Sequence, residues 1–166
     1  MNLLQRLEPL LTVGDRAVRW LQCLSPLLTR LVFGVGFFHA GLGKWHHFDR
    51  TIAYFTDLGI PAPAANAAFV STLEVVGGLA LVLGLLTRVF AALLSSTMVV
   101  AILTAERESF TQALNLHGET SLTDVVPVVF LLALLGLVAF GPGKIALDRL
   151  MPWSKRAVDG SKPSVA

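Results

Sequence analysis

Residues 29–45 read TRLVFGVGFFHAGLGKW, an apolar run with Arg30 near one end and Lys44 near the other. Crossing a hydrocarbon core of roughly 30 Å takes a helix of about 20 mainly apolar residues, and this run with its flanks supplies them. At about 100° per residue, fourteen residues bring a helix back to within about 40° of its start. Arg30 and Lys44 therefore share a face, with Gly34, Phe37 and Gly41 between them. A membrane helix with cations at both ends of one face needs something to neutralise them.

The composition agrees with a membrane chain. Of 166 residues, 54% are hydrophobic and 14% charged, against about 25% charged in a soluble domain, and the mean hydropathy is +0.70. The net charge of +2 is not gathered into basic runs interleaved with aromatics, which argues against a nucleic-acid partner. The single cysteine, Cys23, excludes an intramolecular disulfide, a C-x-x-C redox pair and a cysteine-rich metal site.

Four windows qualify as spans: 24–43, 65–86, 89–104 and 125–140. Thr87-Arg88 alone joins the second and third, predicting a tight helical hairpin. Polar links run from 46 to 63 and from 105 to 124. Lys and Arg concentrate on one side of this arrangement: Arg6, Arg16, Arg19, Arg88, Lys144, Arg149, Lys155, Arg156 and Lys162, against Lys44, Arg50 and Arg107 on the other. The positive-inside rule then puts both termini in the cytoplasm and the two links outside. Glu8 and Asp15 argue against a cleavable signal at the start. Leu3, Leu7, Leu10 and Leu11 at helical spacing predict an interfacial amphipathic helix instead. The chain divides into a cytoplasmic interfacial segment at 1–22, a polytopic all-α membrane four-helix bundle at 23–150, and a disordered cytoplasmic tail at 151–166, anchored by Trp153. Before the fourth span, Ser121-Leu-Thr-Asp124 resembles a capping box, with Glu119 as a second acid near that helix start and Pro127 in its first turn.

The second span repeats the spacing of the first, since Glu74 and Arg88 are also fourteen apart, with Gly78 between them. Antiparallel helices place Glu74 at a depth between Lys44 and Arg30. Its stem is too short to snorkel, so it must be paired, hydrated in a cavity or protonated. Two expectations stand side by side. Arg30 and Glu74 staple the two helices, or Arg30, Lys44, Glu74 and Arg88 line a site for a polar or quinone-like headgroup, with Gly34, Gly41 and Gly78 serving close helix approach. His39 lies about 180° from Arg30 around the helix and has no histidine at matching depth on another span, which argues against a haem. His46, His47 and His117, with Asp49, are weak candidates for a metal at the outer rim; adjacent loop histidines are more often simply solvated, and no metal is assigned. Gly36-x-x-x-Ala40 offers a small-residue face for homo-oligomer contact.

Arg30-Leu-Val-Phe-Gly34, Gly41-Leu-Gly-Lys44, Leu58-Gly-Ile-Pro61, Glu74-Val-Val-Gly-Gly78, Gly84-Leu-Leu-Thr-Arg88, Gly141-Pro-Gly143 and Leu147-Asp148 occur in this order. Together they resemble the DoxX family of small four-helix bacterial inner-membrane proteins, over roughly residues 27–150. The resemblance implies a multi-pass inner-membrane protein linked to quinone-coupled redox chemistry, as a subunit or partner of a soluble or membrane oxidoreductase. The chain itself carries no G-x-G-x-x-G nucleotide motif, so the alternative is a non-enzymatic scaffold, assembly factor or small-solute carrier.

Overall fold

The computed structural model describes residues 3–115, 121–143 and 146–150, with side chains between 24 and 148. The expected tail at 151–166 with Trp153, and the link residues His117 and Glu119, lie outside the described residues. So do the side chains of the amphipathic segment at 1–22. Six α-helices follow one another: α1 Leu3–His46, α2 Phe48–Asp57, α3 Pro63–Leu83, α4 Thr87–Leu103, α5 Arg107–Leu114 and α6 Val126–Phe140. A 3-10 turn follows at Leu147–Leu150. α1 packs on α3, α3 on α4, α4 on α6, and α6 closes on α1. Phe130 of α6 makes that last closure, its ring edge-on to both Phe33 and Phe37 of α1 at 4.8 and 5.1 Å.

Apolar side chains occupy both the inside and the outside of this ring. Phe37, Leu73, Leu81, Leu94, Leu134 and Leu137 form the core, while Val32, Leu79, Val89, Leu132 and Phe140 face outward. Helices that are apolar all round belong in lipid. Leu24–His46 and α3 are each long and apolar enough to cross a bilayer; α4 is so only together with α5, from which it bends by 81°. α6, with 15 residues, is about 22 Å long. All four expected windows are helical, but they are unequal.

α1 runs without a break from Leu3 to His46, so residues 3–22 are helical and continuous with the first span. Three expectations need correction in detail. The first polar link contains α2, whose Thr51 and Phe55 are buried; α2 packs on α3. Ser121–Asp124 closes a turn of its own, with Asp124 Oδ2 accepting the Ser121 N–H at 2.8 Å, whereas α6 starts from Val125 without a side-chain cap. Gly36 lies under the Phe130 ring of α6, so this part of the small-residue face is occupied within the chain.

The hairpin differs most instructively. α3 ends at Gly84, in the left-handed region with φ +71°. The Gly84 N–H bonds the Leu81 carbonyl and the Leu85 N–H bonds that of Ala80, a Schellman arrangement. The turn is thus Gly84-Leu85-Leu86, three residues ahead of the expected Thr87-Arg88 junction. Leu86 also has positive φ, +46°, a strained state for a branched residue. Asp148 holds it: its carboxylate accepts the Leu86 N–H at 2.6 Å and the Thr87 N–H at 2.9 Å. Its own N–H returns to the Gly84 carbonyl at 2.9 Å. A residue far along the chain therefore caps α4 where no local side chain does. Asp148→Ala should lower stability by about 1–2 kcal/mol, the cost of a lost N-cap. SDS-titration unfolding of the detergent-solubilised protein measures this, and Asp148→Asn should retain part of the effect.

Candidate functional site

α1 and α3 approach so closely that side chains are excluded between them. A Cβ on Gly34 would sit 2.9 Å from the Gly78 carbonyl oxygen, and one on Gly41 would sit 2.8 Å from that of Ser71. Small residues at such a crossing let backbones touch in lipid. The crossing brings the last turn of α1 beside the middle of α3, where Lys44 Nζ meets Glu74 Oε2 at 2.5 Å. The Glu74 side chain is 4% exposed and that of Lys44 29%. A carboxylate this deep among apolar helices costs several kcal/mol unless compensated, and the lysine stem reaches down to supply the counter-charge. Nothing among the described residues donates to Glu74 Oε1. Lys44, which carries three N–H donors, spends one on Glu74.

The pair forms part of the wall of a cavity of about 320 Å³, within the range typical of small-molecule sites. Tyr54, Phe55, Leu58 and Ile60 roof it. Asn66, Phe69 and Val70 of α3 and Ser96, Thr97, Met98, Val100 and Ala101 of α4 form its sides, with Thr104, Ala105 and Glu106 at the α4–α5 corner and Pro127 from α6. Several of its polar groups are already satisfied: Ser96, Thr97 and Thr104 return their hydroxyls to carbonyls three or four residues back. Asn66 donates to the Pro61 carbonyl at 2.6 Å. What remains to meet a ligand is Lys44, Glu74, Tyr54 and Glu106 in an otherwise apolar chamber.

The four charged residues expected to act together divide into two groups. Lys44 and Glu74 share the cavity. Arg30, 2% exposed, donates from Nη1 to the Pro142 carbonyl at 2.7 Å and lies over Gly84, where an added Cβ would come within 2.5 Å of that nitrogen. Gly84 is ten residues past Glu74, about 15 Å along α3. The Arg30–Glu74 staple is therefore replaced by a Lys44–Glu74 one. Arg88 is exposed, lies against Gly141, and points Nη2 at the Ala139 carbonyl across 3.4 Å. Both arginines thus serve the C-terminal end of α6, where free carbonyls attract cations. His39, His46 and His47 are exposed. No group of three His, Cys, Asp or Glu among the described residues is placed to hold a metal; His117 lies outside them.

Tyr54 and Glu106 were not among the expected site residues. A signal for the α2 contribution was present: Thr51, Phe55 and Leu58 recur at helical spacing inside a link that is polar on average. Glu106 had none, since it enters the cavity only because α4 and α5 bend at that corner.

Comparison with known proteins places the site in context. The sequence profile of the DoxX family matches residues 25–107, a stretch that holds every cavity-lining residue except Pro127. "Putative oxidoreductase CatD" of Bacillus subtilis is 32% identical over 83 residues, 50% of this chain and 60% of the relative. The chain therefore spans less than two thirds of that protein's length. "Uncharacterized membrane protein Rv3486" of Mycobacterium tuberculosis is 32% identical over 155 residues, 87% of this chain and 94% of the relative. No solved structure matches significantly.

Proposed function

The chain is a membrane protein of the DoxX family, and on that footing we propose that it is a redox-linked subunit whose cavity takes the headgroup of a quinone. The observation that carries the proposal is the pairing of a buried donor and acceptor, Lys44 and Glu74, in a small and otherwise apolar chamber. A quinone ring needs that combination: apolar walls for the ring, an N–H for a carbonyl oxygen and a carboxylate oxygen for a hydroxyl of the reduced form. Lys44 has N–H groups to spare, and Glu74 Oε1 has no donor among the described residues. The two charges cancel, so a neutral headgroup enters without leaving net charge in lipid. A bound quinone supplies two-electron, two-proton redox chemistry, and the electrons come from a partner oxidoreductase. The name of the Bacillus subtilis relative is in keeping with that role.

With four helices crossing the membrane and the Lys and Arg bias setting direction, both termini face the cytoplasm and the cavity opens at the outer half of the bilayer. Mass spectrometry of lipids and quinones retained by the protein in nanodiscs tests the proposal. Quinone at a substantial fraction of the protein concentration is expected. A protein that retains none, and that binds none on titration, contradicts the proposal and leaves a scaffold or carrier role.

A further inference from the structure

The exposed part of the cavity lining lies mainly on the flanks of the membrane-crossing helices. Phe69 of α3 is 60% exposed and Val100 of α4 is 49%; Ser96, one turn deeper on α4, is exposed as well. Phe69 is six residues inside the start of α3 and Ser96 seven inside the end of α4, so both lie about 9–10 Å in from their helix ends. α3 is long and apolar enough to cross the hydrocarbon core, and a span in that position has this rim among acyl chains, below the aqueous boundary. Above it the cavity is roofed by α2. Below it α3 and α4 close together, with Leu94 packed directly on Gly77. α5 turns away from α4 by 81°.

We propose that the cavity is loaded sideways from the bilayer through the seam between α3 and α4, and that its ligand is a single-tailed amphiphile: a neutral ring headgroup at Lys44–Glu74 and an isoprenoid chain lying between Phe69 and Val100. The inference rests on the quinone proposal and adds the ligand's tail and its route. Three observations select this occupant. The balanced Lys44–Glu74 pair disfavours a charged head such as a lipid phosphate, which would compete with Glu74 for Lys44. A cavity of about 320 Å³ is at the small end of the range for ligand sites, so a long tail must leave it. The rim where the tail leaves carries the exposed apolar side chains of Phe69 and Val100.

The test compares two probes on the full chain in nanodiscs: a polyprenyl ubiquinone and duroquinone, which has no tail. Val100→Trp overfills the seam without touching Lys44 or Glu74, and Ser96→Phe does so one turn deeper. Each should weaken polyprenyl ubiquinone at least about tenfold more than it weakens duroquinone, and an SDS-titration unfolding midpoint equal to the wild type's shows that the fold is intact. Equal losses for both probes, or no loss for the tailed one, overturn the lateral route. Wild-type protein that takes duroquinone but not the polyprenyl compound overturns the route and leaves the headgroup site standing. Wild-type protein that takes neither overturns both.

Discussion

Replacing Lys44 with methionine should cost the folded chain about 3–5 kcal/mol, the usual penalty for leaving a buried charge without its partner. Glu74 is 4% exposed and sits on a helix with apolar residues on every side. Among the described residues, Lys44 is the cation within ion-pair distance. Methionine keeps most of the lysine stem, so the loss isolates the charge from the packing. Exchanging both partners, Lys44→Met with Glu74→Leu, should restore most of the stability, because an apolar pair of similar volume commonly equals a buried ion pair. SDS-titration unfolding of the two variants measures the difference. A single-variant loss below about 1 kcal/mol, the value of a solvated surface pair, would mean that water reaches Glu74 freely.

Gly78→Val should be comparably damaging by a different mechanism. A Cβ at Gly78 would lie 2.6 Å from both the Gly34 carbonyl oxygen and the Phe38 nitrogen. Both are backbone atoms of a helix and cannot rotate away, so α1 and α3 must separate. Overpacking of this kind costs about 3 kcal/mol, or more where the backbone has to move. Separation would also pull Lys44 from Glu74, linking helix packing to the cavity. Gly43→Ala provides the control: nothing lies within 4 Å of a Cβ there, and alanine favours helix by up to about 1 kcal/mol. If Gly78→Val unfolds no more readily than Gly43→Ala, the close crossing of α1 and α3 is wrong.

The helices were legible because membrane segments announce themselves by length and hydropathy, and the fourteen-residue spacing correctly set Lys44 on the face of α1 that meets α3. Pairing was less legible. Helical rise places Glu74 between two cations, but it does not say which of them has another claim on it. Arg30 is engaged by the Pro142 carbonyl, 112 residues away in sequence, a contact that no periodicity on α1 encodes. Asp148 is the same case, since its cap on α4 spans two distant segments. The cavity was hidden for a third reason. Its roof is an amphipathic helix inside a link that averages polar, and its corner exists only because α4 and α5 bend at Glu106. Single-helix patterns report faces; a cavity needs the angles between helices.

The double variant Lys44→Met/Glu74→Leu gives the most direct test of the central claim, because its fold should survive while the donor and acceptor are gone. Duroquinone titrated into that variant and into wild-type protein, in the same nanodiscs, reads the claim alone. Binding by the wild type and loss of about tenfold or more in the folded variant are expected from removing hydrogen bonds to charged groups, worth about 1.5–3 kcal/mol each. Equal binding by both would show that the ion pair only fastens α1 to α3 and that the headgroup lies elsewhere.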